Sequence, residues 1–336
     1  MDITKEPTLY WPKGRVLALC GGVGGAKLAA GLNALITQPE QLQVVVNTGD
    51  DFSHLGLQIC PDLDSVLYAL SGKNDTVRGW GRADETWHCM QALAELGAAN
   101  WFALGDKDLA VHIERTRRLN EGQTLSEITA QFCRQFGIAA QVLPMTDDTV
   151  RSMVHTDEGV LAFQDYFVRR ATEPCVEGVS FVGAENARPS PELMNALNDD
   201  SLEAIIICPS NPQLSIDPIL SLPGVRDALI GSTVPIVAVS PLIGGSAIKG
   251  PAAKIMKELG LATNSQAIAE VYQPFLNGLV IDHADDHDLP QLRLPALATS
   301  TLMRNATDAL RLASETLRFA HALGQSAPAT LTEESL

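Results

Sequence analysis

The chain has 336 residues, 46% of them hydrophobic, and no run near the roughly 18 consecutive apolar residues of a membrane helix, so a membrane-spanning helix is not expected. A formal net charge of −16, from 40 acidic against 24 basic residues, argues against a long polyanion such as nucleic acid, whose affinity rests on many Lys and Arg contacts to phosphate. The 6 cysteines are dispersed with no CxxC, which suggests neither a disulfide framework nor a zinc site and fits a reducing cytoplasm; the apolar run after Lys13 and Arg15 is too short for an export signal.

In chain order, the first expected element is an apolar strand over 16–20, followed by GGVGGAKL (21–28) and an Ala-rich helix over 26–35. Strand, glycine turn and helix N-terminus in that order make an anion site. The free N–H groups and dipole of the first helical turn face the turn, and glycine lets a ligand approach the backbone. Gly22, Gly24, Gly25 and Lys27 are the candidate phosphate contacts. The pattern is not a P-loop, because Leu28 stands where a magnesium-holding Ser or Thr would be, and it is not GxGxxG. The structural alternative is a turn that merely packs the helix close to a sheet; Lys27 favours phosphate.

A β-branched strand over 43–46 ends at NTGDD (47–51), the strand end where parallel sheets bind ligands. The loop runs to PDLD (61–64), with a helix expected over 65–70, Asp64 a candidate N-cap and Gly72 its stop. Helical spacing over 84–97, a short strand over 101–104, and helices up to residue 136, one of them over 124–136, come next. Arg115, Arg117 and Arg118 read as a solvated basic face. Strands and turns are expected over 143–163, and from about 140 to 195 there is no βαβ rhythm. Apolar strands over 204–208 and 235–239 carry the loops CPSNPQLSI (208–216) and IGGSAIKGPA (243–252); a last strand over 278–282 and a long amphipathic helix over 302–323 complete the pattern. The expectation is an α/β protein with a parallel sheet: core parts over 14–110 and 196–325, a smaller cap over 111–195, and a mobile tail over 326–336.

Three strand ends therefore present ligand-type loops: the first glycine turn, the loop with Asn211 and Ser215, and the loop with Gly244, Gly245, Lys249 and Gly250. Two glycine loops with a lysine each suit a diphosphate, since lysine supplies charge and glycine backbone N–H donors. Asp50, Asp51, Asp62 and Asp64 gather at one edge, and clustered carboxylates call for a cation; Mg2+ takes one or two of them plus substrate phosphate. Singly, Asp51 or Asp64 could instead cap a turn or helix. His54 and His88 read as packed, and 282–287 (DHADDH) as a surface loop.

Taken together and in this order, GGVGGAKL, NTGDD, PDLDSVLYAL, RGWGRADETW, WFALGDKDLA, PMTDD, FQDYFV, CPSNPQLSI and IGGSAIKGPA strongly resemble the 2-phospho-L-lactate transferase family of coenzyme F420 biosynthesis, from about residue 15 to residue 320. The resemblance implies a Rossmann-like core with a smaller cap, a homodimer, and Mg2+ as cofactor. The reaction it implies moves a phospho-carboxylate, such as phospholactyl, phosphoenolpyruvyl or phosphoglyceryl, from its guanosine diphosphate conjugate to the ribityl hydroxyl of the deazaflavin Fo, releasing GMP. Combined with the residue pattern, Asp50 and Asp62 are expected to hold Mg2+, and Asp62, with Asp64 second, to orient or deprotonate the Fo hydroxyl. By resemblance Lys107 lies near Fo, and Asn211, Ser215, Lys249 and Gly250 near the guanosine diphosphate. The YvcK-like nucleotide-sugar-binding regulators resemble the same core, but GDKD (105–108) and FQDYFV belong to the transferase side; an NAD-type dehydrogenase lacks its GxGxxG. No motif names the acid carried by the donor.

Overall fold

The computed structural model describes residues 9–247 and 250–326. Its spine is a seven-stranded, wholly parallel sheet. Strand β1 (Arg15–Cys20) leads into helix α1 (Val23–Leu35) and then β2 (Leu42–Val46). A small hairpin, β3 (Phe52–His54) and β4 (Leu57–Ile59), precedes α2 (Pro61–Leu70), α3 (His88–Glu95), α4 (Asp106–Asn120), α5 (Leu125–Phe136) and β5 (Gln141–Pro144). An antiparallel three-stranded sheet follows, built from β6 (Arg151–Thr156), β7 (Gly159–Ala162) and β8 (Val176–Val182) in the order β7-β6-β8. After it come α6 (Pro191–Leu197), β9 (Leu202–Ile207), α7 (Asp217–Leu220), α8 (Val225–Ile230), β10 (Ile236–Val239) and a hairpin of β11 (Leu242–Ile243) and β12 (Ser246–Ala247). The chain continues through α9 (Ala252–Glu258), α10 (Ser265–Val271), β13 (Gly278–Asp282), β14 (Ala296–Thr299) and α11 (Ala306–Ser326).

The main sheet runs β14-β13-β10-β9-β1-β2-β5. β1, β2, β10 and β13 are buried along nearly their whole length, as expected of a parallel sheet with helices on both faces. One face carries α1, α2, α5 and α11 and the other α6, α7, α8 and α10, each with its own apolar core. The order of connection reverses between β1 and β9. That switch point opens a crevice beyond the carboxyl ends of those two strands, the place where such folds bind ligands. Among the described residues no helix is long and apolar enough to cross a membrane.

Several local expectations change. α1 starts at Val23, not residue 26, so Gly24 and Gly25 lie in its first turn rather than in a loop. α2 starts at Pro61, because proline suits the first helical position; Asp64 is thus inside the first turn and not the N-cap. Residues 101–104 form no strand: Trp101 and Phe102 pack their rings against Phe52 and His54 of the β3–β4 hairpin. β14 adds a strand beyond the one expected to be last. Within 111–195, α5 and β5 belong to the core, β5 pairing in register with β2, whereas β6, β7 and β8 form a separate small sheet. Thr124 and Glu127 form a capping box that fixes the start of α5, and Gly137 ends it in the left-handed conformation.

Candidate functional site

At the switch point lies a cavity of about 790 Å³. The turn after β1 forms its floor, with Gly22 as N-cap of α1. Packing alone demands glycine here. A Cβ on Gly22 would stand 2.6 Å from Asp62 Oδ1, one on Gly24 2.5 Å from the Pro209 carbonyl oxygen, and one on Gly25 2.7 Å from Cys20 Sγ. Gly22, Gly24 and Lys27 line the cavity; Gly25 lies behind it against Cys20 and Ser210. Lys27 donates from Nζ to the Met303 carbonyl at 2.8 Å. The close-packing alternative and the ligand-approach reading thus apply to the same turn.

Asp50, from the turn after β2, and Asp62, from the first turn of α2, both face this floor and are buried. Asn47 donates from Nδ2 to Asp62 Oδ2 at 3.0 Å and accepts the Gly49 N–H at 2.8 Å, so one side chain orients Asp62 and shapes the turn that carries Asp50. Burial pushes Asp62 up to about 6. Burial, then the nearby charge of Asp62, pushes Asp50 well above the carboxylate range, and its Oδ1 has no hydrogen-bond partner among the described residues. Two desolvated carboxylates, one with an orphaned oxygen, form a hard-oxygen donor pair that fits a divalent cation such as Mg2+. Asp51 is also buried, and pushed up to about 7 by burial, but lies outside the cavity lining.

Asp64 has a different environment. Arg115 of α4 donates from both terminal nitrogens to its two oxygens, Nη1 at 3.1 Å from Oδ2 and Nη2 to Oδ1. The same helix face brings His112 Nε2 to 3.3 Å from Asp108 Oδ1, and Tyr68 of α2 donates to Asp108 at 2.5 Å. Burial acts to raise Asp108, but His112, Tyr68 and Arg115 outweigh it and hold the carboxyl below its usual value. Asp64, Asp108 and His112 are close enough to hold an ion, yet with the Arg115 guanidinium seated on Asp64 they form an ion-paired wall of the cavity. Arg115 therefore corrects the solvated reading of the basic face: it is 1% exposed, while Arg117 pairs with Glu114 and Glu121 at the surface.

Asn211 accepts the Gln213 and Leu214 N–H groups on Oδ1, leaving its buried Nδ2 without a partner among the described residues; Asn211, Ser215 and Gly250 all line the cavity. Lys249 lies outside the described residues. Lys107 is exposed and absent from the lining, its Nζ 3.4 Å from the Ala83 carbonyl. Gly244 and Gly245 do not form a phosphate loop. They turn the β11–β12 hairpin with positive φ, and their N–H groups donate to Asp285. Asp285, with Asp282 and Asp288, is buried, which corrects the surface reading of 282–287; His283 and His287 are exposed. Two aromatic groups line the cavity. Trp80, Trp101 and Phe102 form one, with the Arg78 guanidinium 4.8 Å from the rings of both Trp80 and Trp87; Phe163 and Phe167 of the cap form the other.

Sequence reasoning missed Tyr68, Asp108, His112 and Arg115. The signal was present: 108, 112 and 115 fall at helical spacing on one face of α4, which three polar residues share with Val111.

The sequence model of the family described as "2-phospho-L-lactate transferase CofD" matches residues 16–316. The chain is 38% identical over 317 residues to a phosphoenolpyruvate transferase of Kitasatospora aureofaciens, covering 93% of this chain and 98% of that one. It is 40% identical over 301 residues to a 2-phospho-L-lactate transferase of Methanosarcina mazei, covering 89% and 98%. Among solved structures, a UPF0052 family protein from Bacillus halodurans superimposes with a TM-score of 0.59 at 15% identity, over 91% of this chain and 99% of that one, a likeness of fold.

Proposed function

From membership of the 2-phospho-L-lactate transferase family, to which the chain belongs, we propose the reaction: a phospho-carboxylate passes from its guanosine diphosphate conjugate to the terminal ribityl hydroxyl of the deazaflavin Fo, in coenzyme F420 biosynthesis. The observation that carries the reading is the buried Asp50 and Asp62 pair, aimed into one cavity beside the N-terminus of α1. In the reaction the acceptor hydroxyl attacks the phosphorus that bears the acid, the bond to the second phosphate breaks, and GMP leaves with that oxygen. Such chemistry asks for positioning and charge neutralisation above all.

Asp50 and Asp62 are the residues that would hold Mg2+, which when bound neutralises diphosphate charge. Lys27 and the N–H groups that open α1 face the same phosphates, and Asn211 Nδ2 offers a further donor. Asp64 spends both oxygens on Arg115 and is assigned to orienting the acceptor; Asp62 is left to take the hydroxyl proton. The assembly is read as a cytoplasmic homodimer. The regulator alternative is not favoured, since the relatives above carry transferase names.

The test is an assay of the purified protein with Fo and the guanosine diphosphate conjugates of 2-phospholactate, phosphoenolpyruvate and 3-phosphoglycerate, with and without Mg2+. GMP release and the mass of the deazaflavin product identify the acid. No product from any donor, with tight binding of a nucleotide sugar, overturns the reading.

A further inference from the structure

The cap sheet gives the cavity one piece of wall, a single turn between β7 and β8. Through it Phe163, Gln164, Phe167 and Val168 reach the lining as two pairs spaced four residues apart, delivered by a π-helical turn over Asp165–Arg169. Wide turns of this kind are costly and recur at functional sites. The rings of Phe163 and Phe167 stack at 5.4 Å with an interplanar angle of 8°. Gln164 is 6% exposed, yet among the described residues its carboxamide has no hydrogen-bond partner. A carboxamide held at a cavity wall and not spent on a protein partner is available to a ligand there.

Leu214, Ile243 and Pro251 add apolar wall to the same cavity, beside the polar Ser210, Asn211 and Ser215. The slot therefore suits a flat heterocycle whose edge carries a donor and an acceptor side by side, as guanine does with N1–H and O6. Its position favours the donor nucleotide over the acceptor. Phe163 and Tyr166 share a buried cluster with Leu214 and Ile255, so the turn rests on the loop of Asn211 and Ser215 and on α9. The other aromatic group in the lining, Trp101 and Phe102, packs instead on the β3–β4 hairpin.

We propose that Gln164 reads the guanine base of the donor, its Oε1 accepting from N1–H and its Nε2 donating to O6, while Phe167 covers the face of the ring. The assignment rests on the transferase reading above and adds the residue that selects the nucleotide.

The test is calorimetric titration of the full chain with GDP in the presence of Mg2+, and separately with Fo, for wild type, Gln164→Met and Phe167→Ala. Gln164→Met keeps the side-chain volume and removes both hydrogen bonds; Phe167 is 36% exposed, so its truncation spares the core. Both variants are expected to weaken GDP about tenfold, the scale of a lost base contact or stacking partner, and to leave Fo binding unchanged. Wild-type affinity for GDP in Gln164→Met, or weakened Fo in its place, overturns the assignment and spares the transferase reading. A wild-type protein that binds no GDP overturns both.

Discussion

Arg115 and Asp64, 51 residues apart in sequence, are joined by a two-pronged guanidinium–carboxylate pair in the wall of the cavity. The pair separates the two aspartates of α2. Asp64 is satisfied by the protein itself; Asp62, one half-turn earlier, accepts only from Asn47 among the described residues and faces Asp50 across the floor.

Removing one member of the ion pair leaves a buried charge unpaired. Arg115→Met is expected to lower unfolding free energy by about 3–5 kcal/mol, read from urea denaturation. The double variant Arg115→Met, Asp64→Leu should recover a large part of that loss. Equal stability of the single variant and wild type would contradict the pairing.

Asp62→Asn keeps the size of the side chain and an oxygen for Asn47, but removes the charge expected to hold Mg2+. Turnover should fall at least about a hundredfold, while the melting temperature without Mg2+ stays level or rises, because Asp50 loses a repulsive neighbour. Unchanged turnover removes Asp62 from the mechanism.

The same two carboxylates set a pH dependence. Asp62 titrates near 6 when folded against an ordinary value of 3.8, and Asp50 is raised as well. Below 3.8 Asp62 is protonated in both folded and unfolded chains and contributes nothing; above about 6 the folded chain must carry a buried charge that the unfolded chain carries in water. Stability without metal therefore declines as pH rises from 4 to 7. Mg2+, which binds the ionised pair, should raise the melting temperature clearly at pH 8 and little at pH 5, measured by calorimetry. A gain independent of pH would remove the pair as the binding site.

Gly22, the N-cap of α1, and Gly31 within the helix should separate activity from stability. A Cβ at Gly22 meets Asp62 Oδ1, so Gly22→Ala is expected to displace that carboxylate and cost about tenfold or more in turnover with a modest stability change. A Cβ at Gly31 would stand 2.2 Å from the Ala309 carbonyl of α11. Gly31→Ala should force the helices apart at a cost of about 1–3 kcal/mol and spare the turnover of the molecules that remain folded.

What was legible in the sequence followed from short-range rules. The buried strands announced themselves as apolar runs, and the first glycine turn and the acidic loop after β2 pointed to the cavity floor. Arg115 was misread because its charge suggests solvent; only the fold brings Asp64 opposite it and lets a guanidinium be buried. Gly244 and Gly245 looked like a ligand loop because nothing local shows that Asp285, some forty positions later, takes their N–H groups. Residues 101–104 read as a strand for their apolar and aromatic character, which is spent on packing rings against the hairpin. β5 was hidden in the cap for want of βαβ rhythm around it, although α5 and β5 complete one such unit with β2.

The reversal between β1 and β9 also bears on how the protein is made. During synthesis β1 can find β2, and β2 then β5, but β1's other edge stays bare until the whole cap and α6 have emerged and β9 arrives. Asn211 and Ser215 follow β9, and the two sides of the cavity meet only then. Nucleotide contacts through Asn211 and Ser215 are therefore missing while β1 waits with an open edge, and the late docking of β9 is the step a chaperone has most reason to guard.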